Sequence, residues 1–273
     1  MDAFADVEDT GLDDDGREAF LSDVIDGLSA ATKTLPCKWL YDVRGSALFE
    51  EITHLDEYYP TRTELALLAD IADDLGAALP AGAWVVEFGS GSSRKSDLFL
   101  NALTDAPTVG FFPGSTIGNF EPAQAAGFLA RARRTLGDGA FMVVGVDLKK
   151  DLDVLLPAYD DAKGVTADFN LNLLDRINRE LGGGFDRARF AHRVRYDDGE
   201  GRVEMHLEST VDQTVHIDGH AFDFRAGETI HTENSYKYAV EDFHRVAGGA
   251  GWRAQQHWTD ADSLFSIHLL AAA

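Results

Sequence analysis

The stretch WVVEFGSG at residues 84–91 decides the fold, because an apolar run ends there in two closely spaced glycines. The helical pattern SDLFLNAL follows at 96–103, so the segment predicts a strand, a tight turn and a helix. A helix that begins after such a turn offers unpaired N–H groups to a ligand. The turn has neither the dinucleotide fingerprint nor the P-loop spacing, and a packing turn without a ligand is the alternative interpretation.

Two further segments repeat this alternation. VGFFPG at 109–114 predicts a strand and PAQAAGFLARARRTL at 122–136 a helix, after which AFMVVGVDL at 140–148 predicts another strand. A helix from Val240 to Val246 and a strand at 263–271 close the chain. Strands that alternate with helices favour a parallel sheet in an α/β domain.

The flanking regions predict a second, smaller part. Apolar residues recur at helical spacing over 20–28, 65–79 and 169–181, and we expect Pro60 to break any helix, with Thr61 or Thr63 as the next N-cap. Alternation at 203–208 and turns at 198–199 and 218–219 predict an antiparallel meander. The predicted division is an acidic tail (1–20), a helical part of the substrate domain (21–80), a cofactor domain (81–165), the substrate domain with the meander (166–238) and a return to the first sheet (239–273).

Composition narrows the classes of partner. The 47 acidic residues outnumber the 24 basic ones, and a net charge of −23 repels nucleic acid and anionic membranes. The chain shows no signal peptide and no membrane span, so we expect a cytoplasmic protein, and we predict a monomer. Cys37 is the only cysteine, which excludes an internal disulfide and a cysteine-cluster metal site, and we predict no metal.

The loop GSTIGNF at 114–120 directly follows the second predicted strand. Open α/β sheets bind ligands at the carboxyl ends of their strands, so a short polar loop there is a candidate binding element. An ordinary loop in which Asn119 caps the next helix is an equally good interpretation of these residues alone.

Six phrases occur in an order that resembles the histidine-specific methyltransferases of ergothioneine biosynthesis. They are YDVRGSALFEEI (41–52), EYYPTRTE (57–64), VEFGSGSSRK (86–95), GSTIGNF (114–120), GVTADFN (164–170) and TENSYKY (232–238). The resemblance implies a Rossmann-like class I methyltransferase sheet. It also implies transfer of methyl groups from S-adenosyl-L-methionine to the α-amine of L-histidine, giving hercynine.

The resemblance also assigns site residues. It implies that Tyr59, Asn119 and Tyr159 are catalytic, that Gly114, Thr116, Met205, Glu233 and Ser235 bind the substrate, and that Tyr41, Gly89, Gly91 and Lys95 bind the cofactor. An imidazole offers one N–H donor and one acceptor, which a carboxylate and a hydroxyl two positions apart on one strand can satisfy together. Each side chain also has a structural alternative, since buried tyrosines, methionines and surface carboxylates are common.

The chain departs from the family after residue 103. The family has two more strand–helix units before the strand that leads to GSTIGN, whereas here only TDAP (104–107) intervenes. The absent region normally carries the acidic residue that holds the cofactor ribose and an Asp-Phe pair that contacts the adenine. We therefore expect strand 84–88 to become an apolar sheet edge, with SDLFLNAL repacked or the crossover left-handed.

Two alternatives to an active histidine methyltransferase remain at this point. One is a non-catalytic remnant that binds histidine or a protein partner. The other is an N-methyltransferase for another amino acid, such as a tryptophan derivative. Glu233 and Ser235 argue against the latter, because an indole has no ring acceptor for the hydroxyl.

Overall fold

The computed structural model describes residues 12–89 and 107–273. The helices are α1 (Asp14–Ser29), α2 (Val43–Thr53), α3 (Tyr59–Ala78), α4 (Pro122–Leu136), α5 (Leu152–Leu155), α6 (Val165–Leu181) and α7 (Val240–Gly249). The strands are β1 (Trp84–Glu87), β2 (Thr108–Phe112), β3 (Phe141–Asp147), β4 (Phe190–Asp197), β5 (Arg202–Ser209), β6 (Gln213–Ile217), β7 (His220–Phe224), β8 (Thr229–Tyr236), β9 (Trp252–Thr259) and β10 (Phe265–Ala272). The predicted helix at 96–103 and the start of the acidic tail lie outside the described residues.

The largest sheet has the strand order β1-β2-β3-β10-β9. β1, β2 and β3 are parallel, as the sequence predicts, whereas β10 is antiparallel to both β3 and β9. The order agrees with a class I methyltransferase sheet that lacks its second and third strands. β2, the strand that leads into the GSTIGN loop, pairs directly with β1. The fold is therefore Rossmann-like, and shortened.

Among the described residues, β1 lies at the edge of this sheet, as expected from the loss of the two units. Trp84 is 47% exposed and Val85 is 66% exposed, although both are large apolar residues at the start of β1. The prediction of an apolar sheet edge is thus confirmed.

Helices cover both faces of this sheet. Because successive strand residues point to opposite faces, Met142 and Val144 pack with α4 and α7, while Val143 packs with α3. On the first face Leu129 and Phe243 are fully buried, and each side chain of this size contributes about 1.5–3 kcal/mol when it leaves water. This packing fixes the carboxyl ends of β2 and β3.

Pro60 does not break the helix that the sequence predicts beyond it. α3 begins at Tyr59 with Pro60 in its first turn, and neither Thr61 nor Thr63 is the N-cap. The first N–H groups of a helix have no intrahelical partner, so a proline there loses no hydrogen bond. The prediction of the helix start was wrong for that reason. As a result Tyr59, a predicted catalytic residue, is the first residue of α3.

The remaining strands form two further elements. β4, β5 and β8 form a sheet in the order β4-β5-β8, and β6 pairs with β7 as a hairpin. At the hairpin turn Asp218 and Gly219 have φ values of 44° and 79°, the left-handed pair that tight hairpins require. The predicted turn at 218–219 is confirmed, whereas the meander stays a prediction. α6 ends at a left-handed Gly182.

The chain divides into two compact units. Unit one comprises Met1–Leu55, Leu156–Arg195 and Glu204–Glu233, and unit two comprises Asp56–Leu155, Tyr196–Val203 and Asn234–Ala273. This division groups α3 with the large sheet, whereas the sequence analysis grouped residues 21–80 with the substrate domain. The functional domain bounds given above stay a prediction. Within residues 12–89 and 107–273, no helix has both the length and the apolar composition of a membrane span.

Candidate active site

A polar loop lies at the carboxyl edge of the large sheet in unit two. β2 ends at Phe112, and Gly114 and Ser115 then take left-handed backbone angles, with φ values of 74° and 53°. A short 3-10 turn follows at Thr116–Asn119. β3 is parallel to β2, so its last residue, Asp147, reaches the same edge.

Asp147 is fully buried and anchors a cluster of charged and polar groups. Its carboxylate accepts hydrogen bonds from the Tyr59 hydroxyl at 2.9 and 2.8 Å and forms ion pairs with Lys150 at 2.5 Å and Lys237 at 2.7 Å. We call these four residues the Asp147 cluster. The Asp147 backbone N–H also donates to the Ser115 hydroxyl at 2.9 Å, which ties the loop to β3.

Burial and charge oppose each other in the Asp147 cluster. Burial raises the pKa of Asp147, but the ammonium groups of Lys237 and Lys150 outweigh it, and the pKa lies below its usual value. Burial lowers the pKa of Lys150 to about 8, and the positive charge of Lys237 adds to this. The nearby Asp147 carboxylate raises the same pKa but does not outweigh burial. The carboxylate is therefore ionised at neutral pH, as a buried charge with opposite-sign partners should be.

Glu64 holds the loop from the other side. Both of its carboxylate oxygens lie near the Gly114 N–H, at 3.0 and 2.8 Å, and the side chain is buried. Burial raises the pKa of this carboxyl group to about 7, although the hydrogen bond from Gly114 lowers it. The Gly114 N–H is thus occupied, which leaves its carbonyl oxygen as the backbone group of Gly114 that a ligand can use.

Close backbone packing explains the second glycine of the loop. A Cβ on Gly118 would lie 2.7 Å from the carbonyl oxygen of Tyr236, closer than side chains tolerate. The loop then passes into α4, whose N-cap is Glu121 in a capping box with Gln124. Asn119 therefore does not cap the helix, and that interpretation of the loop is wrong.

Ser235 is joined to the Asp147 cluster through Lys237. The Lys237 Nζ donates to the Ser235 hydroxyl oxygen at 2.8 Å, and both side chains are buried. Within unit two the structure thus brings Tyr59 and Ser235 to the same buried carboxylate, together with the loop that carries Gly114, Thr116 and Asn119. The sequence did not single out Asp147, Lys150 or Lys237.

A cavity of about 690 Å³ opens beside Tyr59 in unit two. α3 forms one wall, and the end of β9 with the loop that follows it forms the other. The polar and aromatic members of its lining are Tyr59, Arg62, Thr63, Asp70, Trp258, Thr259, Asp260 and Asp262. Among these, Tyr59 is the predicted site residue.

Four other predicted residues lie in unit one. Tyr159, Met205 and Glu233 are buried, which excludes Glu233 as a solvated surface residue, while Tyr41 is 39% exposed and packs its ring edge on Phe169 at 5.4 Å. Loss of solvent around its hydroxyl raises the pKa of Tyr41, and the nearby Glu233 carboxylate adds to this. Tyr41 therefore lies within electrostatic reach of Glu233.

Cys37 belongs to the same region of unit one. Burial, and then the charge of Glu233, raise the pKa of its thiol to about 12. A thiol that remains protonated at neutral pH is a poor nucleophile, so Cys37 is suited to a structural role.

The structure also brings together three residues of unit one to which the sequence assigned no role. Glu204, His206 and His231 place one potential ligand atom each within 4.8 Å of one another. The His206 Nε2 hydrogen-bonds to Glu204 at 2.9 Å, and burial lowers the pKa of His206, to which the charge of Arg195 adds. The hydrogen bond accounts for the arrangement, and we assign no metal to it.

The predicted cofactor loop is only partly within the described residues. Gly89, two residues after the end of β1, has a φ of 96°, a conformation that side chains rarely adopt and that lets a backbone turn approach a ligand closely. This fits the cofactor-binding turn that the resemblance implies. Gly91 and Lys95 lie outside the described residues.

The family profile and two similar curated proteins all point to histidine methyltransferases. The profile of a family described as histidine-specific methyltransferase, SAM-dependent, matches residues 20–108 and 104–272. A histidine N-alpha-methyltransferase of Mycolicibacterium smegmatis is 38% identical over 94% of this chain and 96% of that protein, and one of Mycobacterium tuberculosis is 35% identical over 95% and 97%. An ergothioneine biosynthesis protein 1 of Neurospora crassa is 30% identical over 88% of this chain and 33% of that protein.

The alignment lengths bear on the missing segment. The similarity to the Mycolicibacterium smegmatis protein extends over 308 aligned positions, more than the 273 residues of this chain, so the alignment contains gaps in this chain. The family profile also matches in two parts that meet at residues 104–108. Both facts agree with the departure seen in the sequence.

Proposed function

Since the chain belongs to the family of histidine-specific, S-adenosylmethionine-dependent methyltransferases, it methylates L-histidine in ergothioneine biosynthesis, and we propose that the Asp147 cluster and its loop bind the reacting α-amine. Two further expectations stay proposals, namely that the enzyme is monomeric and cytoplasmic. The observation that carries the amine assignment is the direction of the hydrogen bonds at Tyr59.

The Tyr59 hydroxyl has a fixed direction. Its proton lies toward Asp147, because an ionised carboxylate only accepts, and its oxygen accepts from the Lys150 ammonium at 2.6 Å, because an ammonium only donates. Tyr59 therefore meets a ligand as an acceptor. An amine nitrogen carries N–H groups, so Tyr59 suits the amine of histidine and not its carboxylate.

The loop at 114–120 also offers hydrogen-bond acceptors to a ligand. The Gly114 N–H donates to Glu64, and the Thr116 hydroxyl donates to the Pro113 carbonyl at 2.9 Å. Both residues therefore meet a ligand through oxygens that accept. Three acceptors at one edge favour an ammonium or amine, and the side-chain oxygen of Asn119 adds a fourth group of this kind.

These groups supply position more than proton transfer. S-adenosylmethionine, when bound, supplies an electrophilic methyl group on a sulfonium centre. The amine must have its lone pair directed at that carbon, and acceptors that hold its N–H groups leave the lone pair on the opposite side. Such alignment of reacting atoms accounts for a large share of the rate that enzymes gain.

The remaining assignments come from the family resemblance. We propose that Gly89, Gly91, Lys95 and Tyr41 hold the cofactor, that Tyr159 assists at the amine, and that Met205, Glu233 and Ser235 surround the imidazole. The burial of Glu233 agrees with this assignment in one respect, since it excludes a solvated surface carboxylate. Met205 is also buried, which core packing explains equally well.

Incubation with histidine and S-adenosylmethionine, followed by fragmentation mass spectrometry, tests this proposal. We expect up to three methyl groups, all on the α-nitrogen. Methyl groups on the ring would contradict the placement of the amine at Tyr59. A parallel reaction with tryptophan should give much less product, because its indole cannot accept a hydrogen bond.

A further inference from the structure

We propose that His192 and Asn170 are positioning residues that hold the main chain of Tyr159 in place for methyl transfer. This rests on the proposed function, in which Tyr159 assists at the amine. It gives a role to the phrase GVTADFN (164–170), which ends at Asn170 and to which the proposed function assigns none. All three residues belong to unit one.

His192, on β4, contacts the main chain of Tyr159 from a distant part of the sequence. Its Nε2 lies 2.9 Å from the Tyr159 carbonyl oxygen, 33 positions earlier in the chain. Its Nδ1 lies 3.0 Å from the side-chain nitrogen of Asn170, on α6. The His192 ring is buried, and both of its nitrogens thus have hydrogen-bond partners within the protein.

Asn170 decides which ring nitrogen of His192 carries the proton. The Asn170 Nδ2 lies 3.1 Å from the His206 carbonyl oxygen, which only accepts, so the amide turns its nitrogen and not its oxygen to this side. The second N–H of Asn170 donates to the His192 Nδ1, which therefore accepts. Nε2 is then the protonated nitrogen of a neutral ring, and it donates to the Tyr159 carbonyl. Burial lowers the pKa of His192, which agrees with the neutral ring.

The segment around Tyr159 is held at two further points. The Tyr159 N–H donates to the Leu156 carbonyl at 3.0 Å. Two residues after Tyr159, the Asp161 carboxylate accepts from the first two N–H groups of α6 at 3.0 and 2.8 Å, which ties the segment to that helix. The contact from His192 fixes the carbonyl between these points. Its loss leaves that carbonyl unpaired, so the main chain must shift to find another donor.

A shift of the Tyr159 main chain also displaces its phenol group. Methyl transfer depends on the alignment of the amine nitrogen, the methyl carbon and the sulfur, so displacing a residue that assists at the amine lowers kcat more than it raises KM. We expect His192→Leu, which has neither ring nitrogen, to reduce kcat/KM for histidine about tenfold, the scale of one hydrogen bond to a charged or polar group.

Two further variants assign this effect to the hydrogen bonds. The amide nitrogen of His192→Gln replaces Nε2 as the donor to Tyr159, so this variant should keep at least about a third of the wild-type kcat/KM. Asn170→Leu no longer fixes the tautomer of His192 and should lose about three- to tenfold. If His192→Gln were as impaired as His192→Leu, the donor to Tyr159 would not be the cause, and the proposal would be wrong.

A double variant tests whether His192 acts through Tyr159. Tyr159→Phe and His192→Leu should each lose about tenfold in kcat/KM, and independent effects would multiply to about 100-fold. If His192 acts by placing the Tyr159 hydroxyl, the double variant should lose no more than about threefold beyond Tyr159→Phe alone.

Asn178→Ala is the matched control for a merely structural loss. Asn178 lies on α6, as Asn170 does, and its side chain forms hydrogen bonds of 2.8 and 2.9 Å with the main chain of Phe185. Its removal should lower the melting temperature and leave kcat unchanged at a temperature where the variant is folded. Circular dichroism and thermal melting check the fold of every variant. An equal loss of kcat in Asn178→Ala and His192→Leu would overturn the proposal.

The single and double variants distinguish failure of the inference from failure of the proposed function. If Tyr159→Phe is fully active, Tyr159 does not assist at the amine, and that part of the proposed function is wrong together with the inference. If Tyr159→Phe loses activity and the effect of His192→Leu multiplies with it, Tyr159 keeps its role and His192 does not position it.

Nitrogen NMR of the wild-type enzyme labelled with ¹⁵N-histidine provides a second readout that does not depend on how His192→Leu folds. We expect a neutral His192 ring with its proton on Nε2 at neutral pH, with the signal assigned by its absence from His192→Gln. A proton on Nδ1 would overturn the inference, because Nε2 could then not donate to Tyr159.

Discussion

The phenolic hydroxyl of Tyr59 lies 2.9 and 2.8 Å from the two carboxylate oxygens of Asp147, a residue 88 positions later in the chain. α3 begins at the first residue and β3 ends at the second, so the contact joins the start of a helix to the carboxyl edge of the sheet. Lys150 completes the arrangement from within three residues of Asp147. The orientation of Tyr59 is therefore a property of the fold.

Tyr59→Phe keeps the ring and removes the acceptor for the amine. We expect kcat/KM for histidine to fall about 10- to 100-fold, the scale of one hydrogen bond to a charged or polar group, with most of the loss in kcat. Steady-state kinetics with histidine as the varied substrate measure this. A loss confined to KM would show that Tyr59 binds the substrate without aligning its nitrogen.

Tyr238→Phe is the matched control. The Tyr238 hydroxyl is buried and has no hydrogen-bond partner among the described residues. Its removal should leave activity unchanged and should leave stability unchanged or raised by up to about 1 kcal/mol, because a buried unsatisfied group is costly. Equal loss of activity in both variants would mean that the effect of Tyr59→Phe is not local to the site.

Glu64→Gln should change how stability depends on pH. The pKa of the Glu64 carboxyl rises from 4.5 to about 7 on folding because the group is buried. The folded chain therefore holds a proton that the unfolded chain releases, and this contribution is complete below pH 4.5 and lost as the pH rises through 7. Between pH 4.5 and 8 the wild type should lose about 3 kcal/mol relative to Glu64→Gln.

Urea denaturation of both proteins at several pH values measures that difference. The exposed residue Glu51, on α2, provides a control, and Glu51→Gln should run parallel to the wild type. If wild type and Glu64→Gln also ran parallel, the Glu64 carboxyl would be ionised throughout, with the Gly114 N–H sufficient to stabilise its charge.

Gly118→Ala tests the close approach of the loop to Tyr236. The backbone of Gly118 is not in the left-handed region, so alanine is conformationally allowed, but its Cβ would lie 2.7 Å from the Tyr236 carbonyl oxygen. We expect a destabilisation of about 1–3 kcal/mol and a clear loss of activity as Asn119 shifts. Calorimetric melting and kinetics measure the two effects.

Gly127→Ala is the paired control within α4. A Cβ there would have its nearest contact at 3.5 Å, with the end of the Arg131 side chain. Alanine in a helix interior is favoured over glycine by roughly 0.5–1 kcal/mol, so this variant should be stabilised and fully active. Similar destabilisation by both alanines would argue against a specific contact at Gly118.

The sequence predicted the sheet and the loop well, because strand periodicity and glycine turns are local signals. It did not predict the Asp147 cluster. Asp147 and Lys150 end a predicted strand in the phrase VDLKK, but nothing local shows that the carboxylate meets Tyr59 and Lys237 from distant segments. The charged residues at the carboxyl end of this strand are the local signal for the cluster. The family phrases identified Tyr59 and Ser235 as site residues but assigned no role to Asp147, Lys150 or Lys237.

The exposed edge at β1 should weaken the binding of the cofactor. The family resemblance implies that two further strand–helix units cover this edge and carry the carboxylate that holds the ribose of S-adenosylmethionine. A ribose diol normally gives two hydrogen bonds to that carboxylate, each about 1.5–3 kcal/mol because the acceptor is charged. Without them, about 3–6 kcal/mol is lost, which corresponds to roughly 10²- to 10⁴-fold weaker binding.

Calorimetric titration of S-adenosylhomocysteine into three proteins tests this expectation. They are the chain itself, a version with the family's complete segment inserted after residue 106, and a version with a Gly-Ser insertion of equal length. Only the family segment should tighten binding, because it supplies the carboxylate and covers Trp84 and Val85, which are 47% and 66% exposed here. We expect the turn at Gly89 to meet the methionine end of the ligand in all three. Tight binding by the unmodified chain would mean that another part of it holds the ribose.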